Sequence, residues 1–273
     1  MDPAATPSPS PASALTIAGS DSGGGAGIQA DLRTFAAHGV HGLCAITALT
    51  AQHTRGVTAV HVPPAGFLRA QIDACFDDFR VGAVKLGMLA STDVIHAVAD
   101  ALEAHAPAYV VLDPVMVATS GAKLLEDEAL EALRTRLVPR AHLLTPNIPE
   151  AELLTGMRIG DAAAAERALE ALRAMGGGAV LLKGGHLAEG GEVVDRYADG
   201  AGQATLRHPR LDLEGHGTGC TLAAAVAAGL CLGKAMPVAV ADAVDYVGRA
   251  LRGGIRPGRG PILVLDHFGA AAR

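Results

Sequence analysis

Alternating glycines stand at the start of the segment GHGTGCTLAAAVAAG, which continues into an alanine-rich stretch typical of a helix. Such glycines leave the backbone N–H groups of residues 217–220 free to converge on an anion, and the helix dipole favours negative charge at this end. We expect Cys220, in the first helical turn, to have a depressed pKa. A polar side chain there could also take a proton from a hydroxyl that attacks phosphorus. An N-cap by Thr218 beside a small buried cysteine is the plainer alternative.

A second glycine-rich segment, GSDSGGGAGIQADL, spans residues 19–32 and follows a strand-like run. The dinucleotide pattern GxGxxG fails because Ile28 occupies its last position, and the only Gly-Lys pair of the chain is followed by Ala235 and is therefore not a P-loop. A nucleophile elbow fails because a serine stands at its first glycine position. Two interpretations of the segment remain. It is either a loop that lets a ligand approach the backbone closely, with Asp31 in the following helix, or a glycine-rich turn in which Asp21 caps the helix.

Apolar runs without polar alternation recur along the chain and are separated by amphipathic stretches. Unalternated runs are typical of parallel strands that are covered on both faces. The order predicts an α/β fold, with three α/β/α layers and a mostly parallel central sheet. Two polar-flanked runs within residues 191–212 predict an antiparallel hairpin at the sheet edge. We expect a disordered tail over residues 1–14 and a single domain over 15–273.

Composition excludes several classes of protein. The net charge of −6 and the pI near 6.0 argue against nucleic-acid binding, which needs a basic surface. The four cysteines show no metal-ligand spacing and favour a reducing, cytoplasmic location. No apolar run is long enough to span a membrane, and the proline-rich start lacks the basic region of a signal peptide.

Several blocks of the sequence together resemble one enzyme family. They are AGSDSGGGAGIQADLRTF, ITALTAQHT, VKLGMLAS, VLDPVMVATSG, LLTPNIPEAELLTG, LLKGGH and GHGTGCTLAAA, in this order from about residue 15. The chain resembles the hydroxymethylpyrimidine/phosphomethylpyrimidine kinases of thiamine biosynthesis, within the ribokinase-like superfamily. Relatives in that superfamily usually carry GxGD, and the cysteine of GTGC points to the hydroxymethylpyrimidine branch and its pyridoxal kinase-like neighbours.

The resemblance implies an activity and a set of site residues. Family members use ATP and Mg²⁺ to phosphorylate 4-amino-5-hydroxymethyl-2-methylpyrimidine to its monophosphate and then to the diphosphate. It implies an anion hole or base at Cys220, with the backbone of Gly217, Thr218 and Gly219 stabilising the transferred phosphate. The residues that match the family's pyrimidine pocket are Gly19, Asp31, Gln52, Met88 and Val115.

The remaining implied residues concern phosphate and metal. Lys183 matches a phosphate-contacting lysine, and Asp113, Glu150 and Asn147 match a magnesium and phosphate group. Asn147 and Glu150 also have the spacing of a helix capping box, and the two roles are compatible. Without the resemblance, Met88 would be an ordinary core residue and Lys183 a solvated lysine at a strand end.

Two positions depart from the family pattern, and they put local contacts in doubt. His53 stands where many relatives have asparagine, and Arg259 stands where a histidine is common. A pyridoxal kinase on the same scaffold is the nearest alternative, and a non-catalytic pyrimidine- or thiamine-sensing protein is a more distant one. The resemblance also implies a homodimer, with no nucleic-acid or membrane partner.

Overall fold

A computed structural model describes residues 11–117, 124–126 and 128–271. Within these ranges, one large sheet is built from β1 Ser13–Asp21, β2 His41–His53, β3 Gly56–His61, β4 Val81–Leu86, β5 Val110–Leu112, β6 Leu143–Leu144, β7 Ala179–Leu182, β8 Glu192–Ala198 and β9 Gln203–Pro209. A separate two-stranded sheet pairs β10 Gly215–His216 with β11 Leu263–Val264. The first strand begins two residues before the predicted domain boundary, and residues 1–10 of the predicted tail lie outside the described residues.

The large sheet has the strand order β3-β2-β1-β4-β5-β6-β7-β8-β9. The six central strands in this order, which are β2, β1, β4, β5, β6 and β7, are mutually parallel. The predicted hairpin is present as β8 and β9, which run antiparallel at one edge. The other edge is also antiparallel, because β3 folds back on β2. The predicted three-layer fold with a mostly parallel sheet is therefore confirmed, and the second antiparallel edge is an addition to it.

Helices cover both faces of this sheet. They are α1 Gly27–Ala37, α2 Ala65–Asp78, α3 Thr92–His105, α4 Ala129–Ala132, α5 Ile148–Thr155, α6 Ala162–Arg173, α7 Thr218–Cys231 and α8 Met236–Arg252; a π-helical turn over Leu133–Leu137 and a 3₁₀ turn over Val138–Arg140 follow α4. One apolar core joins the sheet to α2 through α6, and the other joins it to α1, α7 and α8. Side chains of β1 alternate between these cores, with Leu15 and Ile17 in the first and Ala14 in the second.

Helix α7 is buried along nearly its whole length, from Thr221 to Leu230. Five of those ten residues are alanine, and their small side chains let the helix pack closely on the sheet, on α1 and on α8 at once. The N-terminus of α7 is thereby fixed at the carboxyl ends of the parallel strands, where open α/β sheets bind their ligands.

Candidate active site

A cavity of about 500 Å³ lies at the carboxyl ends of the parallel strands. The predicted site residues that line it are Gln52, Asp113, Val115, Asn147, Glu150, Lys183, Gly217, Thr218, Gly219 and Cys220. The fold therefore brings ten of the thirteen predicted residues to the lining of one cavity. The other three, Gly19, Asp31 and Met88, lie behind the residues that form the cavity wall.

The turn before α7 has the backbone that an anion site requires. Gly217 is the N-cap residue with φ of +80°, and α7 begins at Thr218, so Thr218 is not the N-cap. A Cβ atom on Gly217 would overlap the carbonyl oxygen of Gly25, because the two glycine-rich loops are in direct contact. The first-turn N–H groups have no carbonyl partner within the helix, and α7 is long enough to carry a dipole.

Cys220 differs from the sequence expectation. Burial raises the pKa of its thiol to about 11, and the nearby Lys85 cation only partly opposes that effect. The expectation of a depressed pKa is wrong, because removal from water costs the thiolate more than the Lys85 cation and the N–H of Gly27 return. At neutral pH, Cys220 is a thiol that lines the cavity.

A cluster of charged side chains lies beside the turn over residues 217–220. The Lys183 ammonium donates to Oδ1 of Asp113 at 2.9 Å and lies 3.9 Å from Oε2 of Glu150. A Cβ atom on Gly219 would stand 3.1 Å from the nitrogen of Lys183, so the turn and the cluster touch. Thr145 donates a further hydrogen bond to Oδ1 of Asp113 at 3.1 Å.

Electrostatics in this cluster hold the lysine charged and weaken one acid. Burial disfavours the ammonium of Lys183, but Asp113 and Glu150 outweigh it and raise the lysine's pKa above its usual range. Burial raises the pKa of Glu150 to about 7; Lys183 opposes this rise, and the Asp113 carboxylate adds to it. One positive group therefore faces two carboxyl groups, which leaves room for further positive charge.

The predicted capping box at the start of α5 is confirmed. The side chain of Asn147 accepts from the N–H of Glu150 at 2.9 Å, and Oε2 of Glu150 accepts from the N–H of Asn147 at 2.8 Å. Both side chains also line the cavity. The helix cap thus fixes the Glu150 carboxyl group at the site.

The carboxyl groups of Asp113 and Glu150 have the donor chemistry of a magnesium site. Mg²⁺ prefers hard oxygen ligands and usually takes one or two carboxylates together with water and substrate phosphates. The described residues contain no group of three or more His, Cys, Asp or Glu side chains that could hold a metal alone. A two-carboxylate site that is completed by nucleotide phosphates fits these residues.

Three predicted residues lie behind the cavity wall. A Cβ atom on Gly19 would stand 3.0 Å from the sulfur of Met88, and Met88 packs with Val115 in a small apolar cluster. Asp31 is completely buried, and its Oδ2 accepts from the Lys85 ammonium at 2.8 Å and from the Thr16 hydroxyl at 2.6 Å. Its Oδ1 has no hydrogen-bond partner among the described residues.

Sequence reasoning missed two residues that touch the predicted site. Lys85 pairs with Asp31, and its only sequence signal is a lysine inside the apolar run VGAVKLG. His216 lines the cavity, and its Nε2 lies 2.7 Å from Nε2 of Gln52. Its signal was its place inside GHGTGC, where only the glycines and the cysteine were interpreted.

The two departures from the family pattern flank one contact. The N–H of Gly260 donates to the hydroxyl of Thr54 at 3.0 Å, which ties the turn between β2 and β3 to the C-terminal loop. His53 precedes Thr54 and Arg259 precedes Gly260, and both side chains are exposed. The contact depends on small residues at 258 and 260, because a Cβ atom at either position would overlap Thr54.

Comparison with known proteins agrees with this geometry. The model of the phosphomethylpyrimidine kinase family matches residues 21–264. A hydroxymethylpyrimidine/phosphomethylpyrimidine kinase of Streptomyces coelicolor is 49% identical over 265 residues, which cover 97% of each chain.

Solved structures agree as well. An ADP complex of Bacillus subtilis pyridoxal kinase superimposes with a TM-score of 0.89 at 33% identity and covers 97% of this chain and 100% of that one. A phosphomethylpyrimidine kinase of Clostridium difficile gives a TM-score of 0.78 at 43% identity, with 87% and 98% covered.

The three-layer fold and the solved kinases that superimpose on it define a kinase of the ribokinase-like class. Within that class, the chain belongs to the phosphomethylpyrimidine kinase family. No helix among the described residues has the length and apolar character needed to cross a bilayer.

Proposed function

We propose that this kinase transfers the γ-phosphoryl group of ATP to 4-amino-5-hydroxymethyl-2-methylpyrimidine and then to the resulting monophosphate, to give the diphosphate used in thiamine biosynthesis. The observation that carries the proposal is the contact between the turn over residues 217–220 and Lys183 on one side of the cavity that Gln52 also lines. Phosphoryl transfer needs mainly positioning and charge neutralisation, and this arrangement supplies both.

Each side chain has a distinct part in the proposed reaction. The N–H groups of residues 217–220 stabilise the transferred phosphoryl group, and the Lys183 ammonium neutralises its charge. Asp113 and Glu150 would hold Mg²⁺, which when bound shields the phosphate oxygens. Residues 217–220 form the proposed anion-binding turn, and Cys220 lines it as a thiol. A loose transition state demands little help from a base, so a thiol of high pKa is compatible with catalysis.

Recognition of the pyrimidine is assigned to Gln52 and Val115, which line the same cavity. Gln52 reads the aminopyrimidine edge, since an amide can donate to a ring nitrogen. Asp31 lies behind the cavity wall and is paired with Lys85, so no direct contact with the ring is assigned to it. Val115 lines the cavity against the ring, and Met88 and Gly19 pack behind it.

Coupled ADP release tests the proposal with three substrates: the hydroxymethylpyrimidine, its monophosphate and pyridoxal. We expect turnover of both pyrimidines, and only a small change in kcat for Cys220→Ala, because alanine keeps the backbone N–H of residue 220. Cys231→Ala is the matched control, because Cys231 lies at the opposite end of α7. Absence of turnover with both pyrimidines would disprove the function, and a large fall in kcat for Cys220→Ala with the fold intact would disprove the merely lining role of the thiol.

Phosphorylation of pyridoxal is the second candidate activity. The observation that favours it is the close superposition on Bacillus subtilis pyridoxal kinase. Pyridoxal lacks the aminopyrimidine edge, so Gln52→Ala should impair turnover of the pyrimidine more than turnover of pyridoxal. If pyridoxal is the better substrate and Gln52→Ala leaves the ratio unchanged, the second activity is the principal one.

We also propose that two copies of the chain associate through the ribbon formed by β2 and β3. The last four residues of β3 are exposed, so both faces of this edge strand meet solvent. Leu49 and Val60 are 45% and 46% exposed there. Because β3 is an edge strand with exposed apolar side chains, a second copy that packs there would remove them from water. A cytoplasmic location is proposed on the four unpaired cysteines.

A further inference from the structure

The first glycine-rich loop is organised by the carboxylate of Asp21 at the end of β1. Oδ1 accepts from the N–H of Gly23 at 2.8 Å, and Oδ2 accepts from the N–H groups of Gly25 and Ala26 at 2.9 Å each. His216 adds a contact, with Nε2 3.2 Å from Oδ2. Burial alone would raise the pKa of Asp21, but the hydrogen bonds from His216 and the backbone keep it below its ordinary value. Asp21 is therefore an acceptor only.

The same loop is shaped to receive the ring of His216. A Cβ atom on Gly25 would stand 2.7 Å from Cδ2 of His216 and 3.2 Å from Val264 of β11. Strand β10 places His216 directly before the anion-binding turn, and pairing with β11 fixes that position. The glycine at 25 thus provides room for an imidazole that contacts both loops.

Hydrogen bonding determines how the protons are arranged around His216. Because Asp21 only accepts, Nε2 of His216 must carry the proton, and the nearby amide of Gln52 must then present its oxygen to that N–H. The amide nitrogen of Gln52 then occupies the second position of the amide group, which lies 3.0 Å from the hydroxyl oxygen of Thr50. Thr50 can accept there because its own proton goes to the carbonyl oxygen of Ser20 at 2.9 Å. Every hydrogen-bond donor in this series of contacts then faces an acceptor.

We propose that His216, anchored by Asp21, is a positioning residue that fixes the orientation of the Gln52 amide and so makes Gln52 a hydrogen-bond donor to the bound substrate. The amide oxygen of Gln52 is held by His216, and one of its two N–H groups is held by Thr50. The second N–H group is left for the substrate in the cavity. The substrate edge next to Gln52 must then be an acceptor, as a pyrimidine ring nitrogen is. The inference rests on the proposed function, in which Gln52 reads the pyrimidine.

A double-mutant cycle tests the inference on kcat/KM for the hydroxymethylpyrimidine, with KM for ATP measured in parallel. The variants are Gln52→Ala, His216→Leu and the two combined. We expect a loss of about 10- to 100-fold in His216→Leu, mainly as a raised pyrimidine KM, in line with a lost hydrogen bond to a buried polar group. If His216 acts through Gln52, the double variant loses no more than Gln52→Ala alone.

Two further variants separate positioning from folding. His216→Gln places an amide near the position of Nε2 and should restore part of the pyrimidine affinity, which a purely structural role would not predict. His105→Leu is the control, because it breaks a histidine-aspartate contact of 2.6 Å, to Asp73 on α2, outside the site. It should leave pyrimidine KM unchanged.

The outcomes distinguish this inference from the proposed function. Additive losses in the double variant, or no rescue by His216→Gln in a folded protein, would overturn the role of His216 while wild-type turnover still supports the function. Full activity of Gln52→Ala would overturn both the assignment of Gln52 and this inference. No turnover of pyrimidine by the wild type would overturn the proposed function itself.

Discussion

Single side chains at this site are set by partners that are distant in sequence. Lys85 meets Asp31 across 54 positions, and His216 meets Gln52 across 164. The family resemblance identified most of the residues that line the cavity, but it carries no information on which polar groups pair once the chain has folded. The pKa of Cys220 shows the same limit, because it follows from burial, which a local pattern does not report.

Glu150 offers a prediction in which stability and activity move in opposite directions. Glu150→Gln keeps an oxygen for the N–H of Asn147, so the capping box survives. Turnover should fall at least about 10-fold, because a charged ligand of the proposed magnesium site is lost. The Mg²⁺ dependence of ADP release measures this effect, and Glu170→Gln on the exposed side of α6 is the control.

The pH dependence of stability gives a second readout of the same variant. The folded-state pKa of Glu150, about 7, lies above the ordinary 4.5, so its contribution to stability is complete below pH 4.5 and is lost as the pH rises through 7. Glutamine does not titrate, so the Glu150→Gln variant has no such loss. Its free energy of unfolding should therefore rise relative to that of the wild type between pH 5 and pH 8. Urea unfolding measures this change, and a variant that becomes relatively less stable at pH 8 would contradict it.

At the level of elements, glycines in two loops make the close approach of α7 to β1 possible. The pattern predicted most helices and strands, because apolar periodicity and capping residues are local signals. It did not predict β3, most of whose residues are exposed, or the two-residue strands β10 and β11, which exist only through pairing. The contact between Gly25 and Gly217 likewise follows from the assembled fold.

Gly217→Ala tests that contact against a matched glycine. Gly217 and Gly233 have φ of +80° and +82°, but only Gly217 has atoms close to an added Cβ. Gly233→Ala should cost about 1–2 kcal/mol in free energy of unfolding from backbone strain alone. Gly217→Ala should cost more and should lower kcat on the order of 100-fold, since the anion-binding turn must shift. Equal stability and full turnover of the two variants would refute the close approach.

For the whole molecule, an α/β fold with both faces of a parallel sheet covered could be predicted from alternating apolar runs, and the cores confirm it. The proposed surface between two copies could not be predicted in this way, because exposed apolar residues on an edge ribbon look like ordinary strand residues in the sequence. The structure shows that, among the described residues, nothing buries the last four residues of β3.

Self-association gives a prediction with a direct physical readout. Val60→Lys should convert a dimer into a monomer in analytical ultracentrifugation, because it places charge in the apolar ribbon. Val238→Lys is the control, since Val238 on α8 is 51% exposed and Val60 is 46% exposed. A monomeric wild type, or a Val60→Lys variant that remains dimeric, would exclude the ribbon as the interface.

The buried position of α7 also bears on how the protein is made. This helix covers the sheet face beside β1, β4 and β5, yet almost all of the chain before residue 218 leaves the ribosome earlier. Until α7 emerges, that face of the growing sheet is covered only in part, by α1, and the turn over residues 217–220 does not exist. A nascent chain of this kinase therefore cannot be stabilised by phosphate bound at that turn, and it must avoid aggregation until its last fifth is synthesised.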